Sequence, residues 1–176
     1  GNTSKSSAGM NASETKFQKE AGIEDSNDKF YEETFKGGKE KNDPELLRFL
    51  VDHSASAIDW LDSMNIKLDN LTTTGGMSVK RTHRPSDGSA IGGYLVEGLY
   101  ANVTERKIPT FVNSDVTEIT EENGAVSGVK VTVEGQEKTI KSKAVVLATG
   151  GFGANLDMVS QLKPELKGFV TTNQEG

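Results

Sequence analysis

The chain has 176 residues, 34% hydrophobic and 26% charged, enough for one ordinary domain with its own core. Its net charge of -6 argues against a nucleic-acid partner, because a phosphate backbone needs a basic face. It contains no cysteine, which excludes disulfides, thiolate metal sites and cysteine nucleophiles but leaves the compartment open, and no apolar run approaches the roughly 20 residues of a membrane span.

The opening "GNTSKSSAGM" has no initiator Met and no basic-then-apolar order, so a natural start is not expected there and no signal peptide is visible. Residues 1–13 are polar and rich in Ser and Gly; taken alone they predict a flexible tail or linker. Residues 14–36 predict one or two short helices, with Phe30, Tyr31 and Phe35 spaced for one face and Gly37 and Gly38 as the stop. The clearest helix is "NDPELLRFLVDHSASAIDWLDSMN". Asn42 or Asp43 can cap it, and Pro44 suits the first turn, where a missing N–H costs nothing. Leu47, Leu50, Val51, Ser54, Ala57, Ile58 and Leu61 recur at three and four, which predicts one buried face. His53 within it reads as a surface or core-edge histidine.

Residues 71–93, "LTTTGGMSVKRTHRPSDGSAIGG", form a long segment of glycine, hydroxyl and basic residues, expected to be a loop. Arg81, His83 and Arg84 concentrate positive charge there in an otherwise acidic chain. Two readings stand: a solvated basic loop, or a loop facing an anionic cofactor or substrate. A helix is predicted from about Ser89 to Arg106 with Leu95, Leu99 and Val103 on one stripe. Gly92 and Gly93 in its first turn suggest close backbone approach to something.

The period then changes to two. "PTFVNSD", "VTEIT", "VSGVKVTVEG" and "QEKTIKSKAVVLATG" are β-rich, and "EENG" and "VEGQ" are turn chemistry, so an antiparallel meander is expected. Val129, Val131 and Val133 alternate with polar residues, as in a sheet with one wet face. "AVVLA", residues 144–148, does not alternate and predicts a strand buried on both faces, in parallel pairing. A helix is expected to start near Asn155. The fold class is therefore mixed α/β: helices, an antiparallel meander and one buried strand.

That last strand runs into "ATGGFGANL". The G-x-G at Gly151 is followed by Leu156 where a dinucleotide fingerprint needs its third glycine, and no suitable acidic residue follows a second strand. As a primary nucleotide fingerprint it fails. A meander leading into a strand that ends A-T-G-G, however, resembles the flavoprotein fold of the succinate dehydrogenase and fumarate reductase superfamily. "GNTSKSSAGMNAS" resembles the segment beside the flavin in soluble fumarate reductases. "KGGKEKNDPELLRFLVDHSASAIDWLDSMNIKL" and "GGMSVKRTHRP" are similar to that family's helical segment and its G-G-x-S-V-x-R-x-H-R-P loop. "LKGFVTTNQEG" resembles the stretch leading to the next flavin-binding turn.

The resemblance covers essentially the whole chain and implies a glutathione-reductase-like FAD-binding fold of fumarate reductase or urocanate reductase type. Residues 1–176 would be an internal segment of that FAD-binding domain, lacking the family's N-terminal βαβ unit, cap domain and C-terminal part. By the same resemblance Asn2, Thr3, Ala8 and Gly9 line the flavin, the Val116 backbone meets the adenine, and Ala148, Thr149 and Gly150 form the turn beside the cofactor. Arg81, His83 and Arg84 match the loop near the flavin with no assigned chemistry, and Thr73 and Thr74 stand where some relatives have methionines near the substrate. The FAD is expected to be non-covalent, since Asn2 stands where the membrane-bound branch has a flavin-carrying histidine. No catalytic residue and no metal ligand is expected within the segment. The implied partners are FAD, a small dicarboxylate-like substrate, the rest of the same polypeptide and an electron-donor domain or protein. A related flavoprotein acting on another enoate or enone, or a stand-alone binding module, are the alternatives.

Overall fold

In the computed structural model, which describes residues 1–173, the chain divides into two units, Gly1–Arg106 and the segment from Lys107 onward. The last three residues of the "LKGFVTTNQEG" stretch lie outside the described residues.

The first unit is built on helices whose starts are written locally. Thr15 caps α1 (Lys16–Glu20) by a capping box: its hydroxyl accepts from Gln18 N–H and its own N–H donates to Gln18 Oε1. Ser26 caps α2 (Asn27–Gly37), which ends at Gly38. Asp43 caps α3 (Pro44–Asp62) by accepting from the N–H groups of Glu45 and Leu46. The predicted apolar stripe of α3 is buried at Leu47, Val51, Ser54, Ile58 and Leu61. Leu50, placed on that stripe by its spacing, is instead 55% exposed, at the margin of the buried face next to the exposed Leu46.

Two clusters make the core. Ala12, Phe17, Ile58, Leu61, Ile66, Leu68 and Ile91 form one; Phe30, Leu47 and Val51, with Tyr31 and Phe35 against them, form the other. Each fully buried large side chain contributes roughly 1.5–3 kcal/mol.

Two expectations about this unit are corrected. Residues 1–13 are not a free tail. Asn2–Lys5 form a 3-10 turn, Met10–Asn11 form strand β1, and Ala12 and Ser13 are fully buried. Residues 71–93 are not one long loop either. They contribute most of β2 (Asn70–Thr72) and all of β3 (Thr82–Arg84), which build a small antiparallel sheet in the order β1-β3-β2. Met10 pairs with His83 and Leu71 with the same residue from the other side. The cause is one pairing in both cases: β1 has its hydrogen-bonding partner some 70 residues away, beyond the reach of local composition. The turn at Asn2–Lys5 lies on α4 (Ile91–Glu105), where Gly92 N–H donates to Ser6 C=O. A Cβ on Gly92 would stand 2.3 Å from Thr3 C=O oxygen, so the close approach expected here is real at Gly92. At Gly93 none of the described residues lies within 4 Å of where a Cβ would stand.

The second unit is the expected meander. β4 (Ser114–Glu122), β5 (Ala125–Val133) and β6 (Gln136–Lys141) pair antiparallel in chain order. Asn123 and Gly124, at φ 53 and 78, make the tight turn with positive φ at both centres that suits a two-residue hairpin. Val116 faces Val131, which is buried, while the outer strand β6 is exposed throughout. "PTFVNSD" enters the sheet only at Ser114; Phe111 and Val112 are 71% and 75% exposed. Ala144–Ala148 forms no strand among the described residues, and Val146 is 87% exposed. A strand buried on both faces needs flanking strands and covering helices, and nothing among the described residues of this unit supplies them. Asn155 caps α5 (Leu156–Leu162) as expected, accepting from Met158 N–H.

Candidate functional site

The Gly-rich turn after β2 and the basic residues of β3 sort into three environments. Arg81 is fully buried. Its guanidinium grips Asp25 with two nitrogens, Nε to Oδ2 at 2.8 Å and Nη2 to Oδ1 at 2.6 Å, and reaches Glu33 through Nη1 at 2.8 Å. Phe30 lies under it, 4.8 Å from guanidinium carbon to ring centroid. Burial alone would push the Asp25 carboxyl up, but hydrogen bonds from Arg81 and Gln18 outweigh it and hold it below the usual carboxylate range. For Glu33 burial likewise acts upward and is outweighed by hydrogen bonds from Ser78 and Arg81. Arg81 itself loses to burial and gains more from Asp25 and Glu33, so it stays charged.

His83, also fully buried, links this cluster to α1. Its Nδ1 is 2.9 Å from Arg81 C=O, a pure acceptor, so Nδ1 carries the hydrogen. With the proton of the neutral ring on Nδ1, Nε2 accepts from the Thr15 hydroxyl 2.8 Å away, whose oxygen also accepts from Gln18 N–H. Burial pushes the imidazole down, in keeping with a neutral ring in this position. Gln18 completes the network by donating to Asp25 Oδ2 at 2.9 Å and Lys80 C=O at 3.0 Å. Arg81 and His83 do not face solvent, so the reading of a solvated basic loop is corrected for them. They form an internal polar brace, satisfied on every side.

Arg84 is different. It is half-buried, and among the described residues it makes no ion pair. Its Nη2 donates weakly to Ser7 C=O at 3.5 Å and Ser89 C=O at 3.2 Å, and its Nε is buried without a partner. Its stem lies against Gly9: a Cβ there would come within 2.9 Å of Arg84 Cγ and 2.5 Å of His83 C=O.

The residues singled out by resemblance fall into separate units. Asn2, Thr3 and Ala8 are exposed and Gly9 half-buried, all in the first unit; Gly9 lies against Arg84 and Thr3 against Gly92 of α4. Thr74, from the stretch near the implied substrate end, shares a 3.2 Å hydroxyl contact with Thr82, whose hydroxyl donates to Asn11. Val116, 52% exposed on β4, and the exposed Ala148, Thr149 and Gly150 belong to the second unit. His53 is an exposed helix residue stacked on Phe49. Asp25, Glu33 and Gln18 carried no signal in the sequence: Arg81, the partner of Asp25 and Glu33, lies 56 and 48 positions further along, and the Lys80 carbonyl that Gln18 reaches lies 62 positions on. Among the described residues no cluster of His, Asp or Glu is placed to hold a metal ion, and no helix is long and apolar enough to cross a membrane.

Comparison with known proteins adds the following. Residues 1–176 match the family described as FAD binding domain. The chain is 52% identical to an NADH:fumarate oxidoreductase of Klebsiella pneumoniae (strain 342), over 100% of this chain and 19% of that protein. It is 41% identical to a fumarate reductase (cytochrome) of Shewanella frigidimarina, over 100% of this chain and 31% of that protein. A solved structure of the open conformation of a flavocytochrome c3 fumarate reductase superposes with a TM-score of 0.91 at 37% identity, covering 99% of this chain and 31% of that one. The chain thus spans a third or less of the length of these relatives.

Proposed function

The chain belongs to the FAD binding domain family, and from that premise we propose that it is an internal segment of the flavin domain of a fumarate reductase-type oxidoreductase. The parent protein reduces the C=C bond of a small unsaturated carboxylate. The observation that carries this reading is that the likeness to fumarate reductases runs unbroken over the chain, in sequence and in fold.

The residues present fit part of a flavin site. Asn2, Thr3 and Ala8 are exposed, and Arg84, a cation with no ion pair among the described residues, lies against Ser7 and Gly9. In the second unit, Gly150 and Gly151 have nothing within 4 Å of where a Cβ would stand, so their backbone is open to a ligand. Asn2, Thr3, Ala8 and Gly9 hold the flavin by close backbone approach; the Val116 backbone meets the adenosine, and Ala148, Thr149 and Gly150 turn beside the cofactor. Reduced FAD, when bound, supplies the hydride for one carbon of the double bond. An amide is no substitute for imidazole as a nucleophile, so Asn2 leaves the FAD non-covalent. The rest of the polypeptide supplies the pyrophosphate-binding turn, the groups that clamp the substrate carboxylates and the proton donor. An electron-donor domain or protein completes the cycle.

The test is made on the full-length protein. Stoichiometric FAD that stays in the supernatant after acid precipitation, with fumarate-dependent oxidation of a reduced dye, is the expected result. Absence of FAD, or flavin attached through Asn2, overturns it.

A further inference from the structure

Arg81, His83 and Arg84 lie within four positions of one another and meet different fates. The charge of Arg81 is matched by Asp25 and Glu33, and His83 is held as a neutral ring. Arg84 alone of the three keeps a charge with no carboxylate against it among the described residues. Charge-assisted hydrogen bonds run about 2.7–2.9 Å; its contacts to the Ser7 and Ser89 carbonyls, at 3.5 and 3.2 Å, are longer. Its Nε is buried with no acceptor at all. The buried Nε is out of reach of a ligand, but the half-buried side chain carries a charge that the described residues leave without a counter-ion, and an anion brought to it would supply one. Its stem lies against Gly9, its Nη2 lies between the Ser7 and Ser89 carbonyls, and the residue as a whole is half-buried.

We propose that Arg84 supplies the positive charge facing the anionic edge of the flavin ring and thereby raises the reduction potential of the bound FAD. The proposal rests on the reading that Ala8 and Gly9 line the flavin. Addition of two electrons and one proton to the oxidised ring leaves it one unit more negative. A fixed cation then binds the reduced form more tightly than the oxidised one, and that difference in affinity is a shift in potential. A tenfold difference corresponds to about 30 mV for a two-electron couple. Arginine suits the place because its planar fork is permanently charged and weakly hydrated.

The experiment is a dithionite titration of the FAD-loaded full-length protein against a reference dye, for the natural sequence, Arg84→Gln and Arg84→Lys. Arg84→Gln is expected to bind oxidised FAD within about threefold of the natural protein and reduced FAD about tenfold less tightly, lowering the potential by ~30 mV. Arg84→Lys, which keeps the charge, is expected to stay within about 10 mV. Hydrogen exchange of residues 7–9 in the FAD-free protein is expected to be the same in all three. An unchanged potential in Arg84→Gln overturns the assignment, as does equal weakening of both redox forms, which is the mark of a phosphate contact. Loss of protection at residues 7–9 in both variants overturns it in favour of a packing clamp. Absence of FAD from the unmodified protein overturns the cofactor reading and this assignment with it; bound FAD with unchanged potential overturns the assignment alone.

Discussion

At the scale of single residues, Arg81 has an asymmetric energy balance. Two carboxylates and an aromatic face compensate its desolvation, so the intact cluster contributes little net stability. Removing the cation leaves the fully buried Asp25 carboxylate uncompensated. Arg81→Ala is therefore expected to destabilise the chain by about 3–5 kcal/mol, read from urea denaturation; a loss under about 1 kcal/mol contradicts this account of the brace. The same cluster sets a pH dependence. His83 has a folded pKa below its ordinary 6.5, so the unfolded chain binds its proton first. The stability from the neutral ring is present above about 6.5 and declines as pH falls toward the folded value. Asp25 and Glu33 are held low, so theirs is present above about 4 and is lost as pH falls through their folded values. Stability should thus fall in two stages, and His83→Gln should flatten the first. An unaltered slope between about pH 7 and 5.5 in that variant would assign the first stage to another group.

At the scale of elements, the contact between the 3-10 turn and α4 gives a paired test. Gly92→Ala puts a Cβ 2.3 Å from Thr3 C=O oxygen and 2.7 Å from Ser6 N, so the turn must lift away. Gly93→Ala meets nothing within 4 Å and removes unfolded-state freedom, a gain of about 0.5–1 kcal/mol within a helix. Hydrogen exchange should show residues 2–6 and the start of α4 exchanging faster in Gly92→Ala, with Gly93→Ala unchanged or slower. What the sequence reveals follows the same division between local and distant causes. The helices were legible because their signals are local: Asp43 before Pro44, apolar residues three and four apart, and Gly37 and Gly38 as a stop. The hairpin turns at Asn123–Gly124 and Glu134–Gly135 were legible for the same reason. β1 and β3 were not, because each is three residues or fewer and is made by a partner far along the chain. Ala144–Ala148 reads as a strand by composition, yet pairing is a property of neighbours rather than of the run itself. For the candidate site, the basic cluster was visible and its meaning was not. A sequence counts charges, whereas Asp25 and Glu33 decide which of them remain free.

At the scale of the whole molecule, the chain carries faces that a finished domain would cover. Leu46, Phe49, Leu50 and Trp60 are exposed along α3, and Val146 and Leu147 are 87% and 68% exposed in the second unit. The chain spans 19% and 31% of the length of two of its relatives, and exposed apolar faces of this kind mark surfaces that another part of a protein or a partner covers. The same incompleteness bears on cofactor affinity. In the proposed site, the exposed residues Asn2, Thr3 and Gly150 would offer a flavin neutral contacts and Arg84 one charged contact. The pyrophosphate draws on charge-assisted donors from a glycine turn and helix N-terminus, which the family resemblance puts upstream of Gly1. Three such bonds at about 1.5 kcal/mol each amount to roughly a thousandfold in affinity. The 176-residue chain alone should therefore bind FAD at least about a thousandfold more weakly than the full-length protein. It should reduce nothing, because groups that clamp substrate and donate the proton act only when fixed around it. Calorimetric titration of both forms, with a reduced-dye assay alongside, measures the difference. Tight stoichiometric binding or turnover by the 176 residues would mean that Asn2, Thr3 and the Ala148–Gly150 turn form a complete site rather than part of one, and that the phosphate contacts reside in this chain.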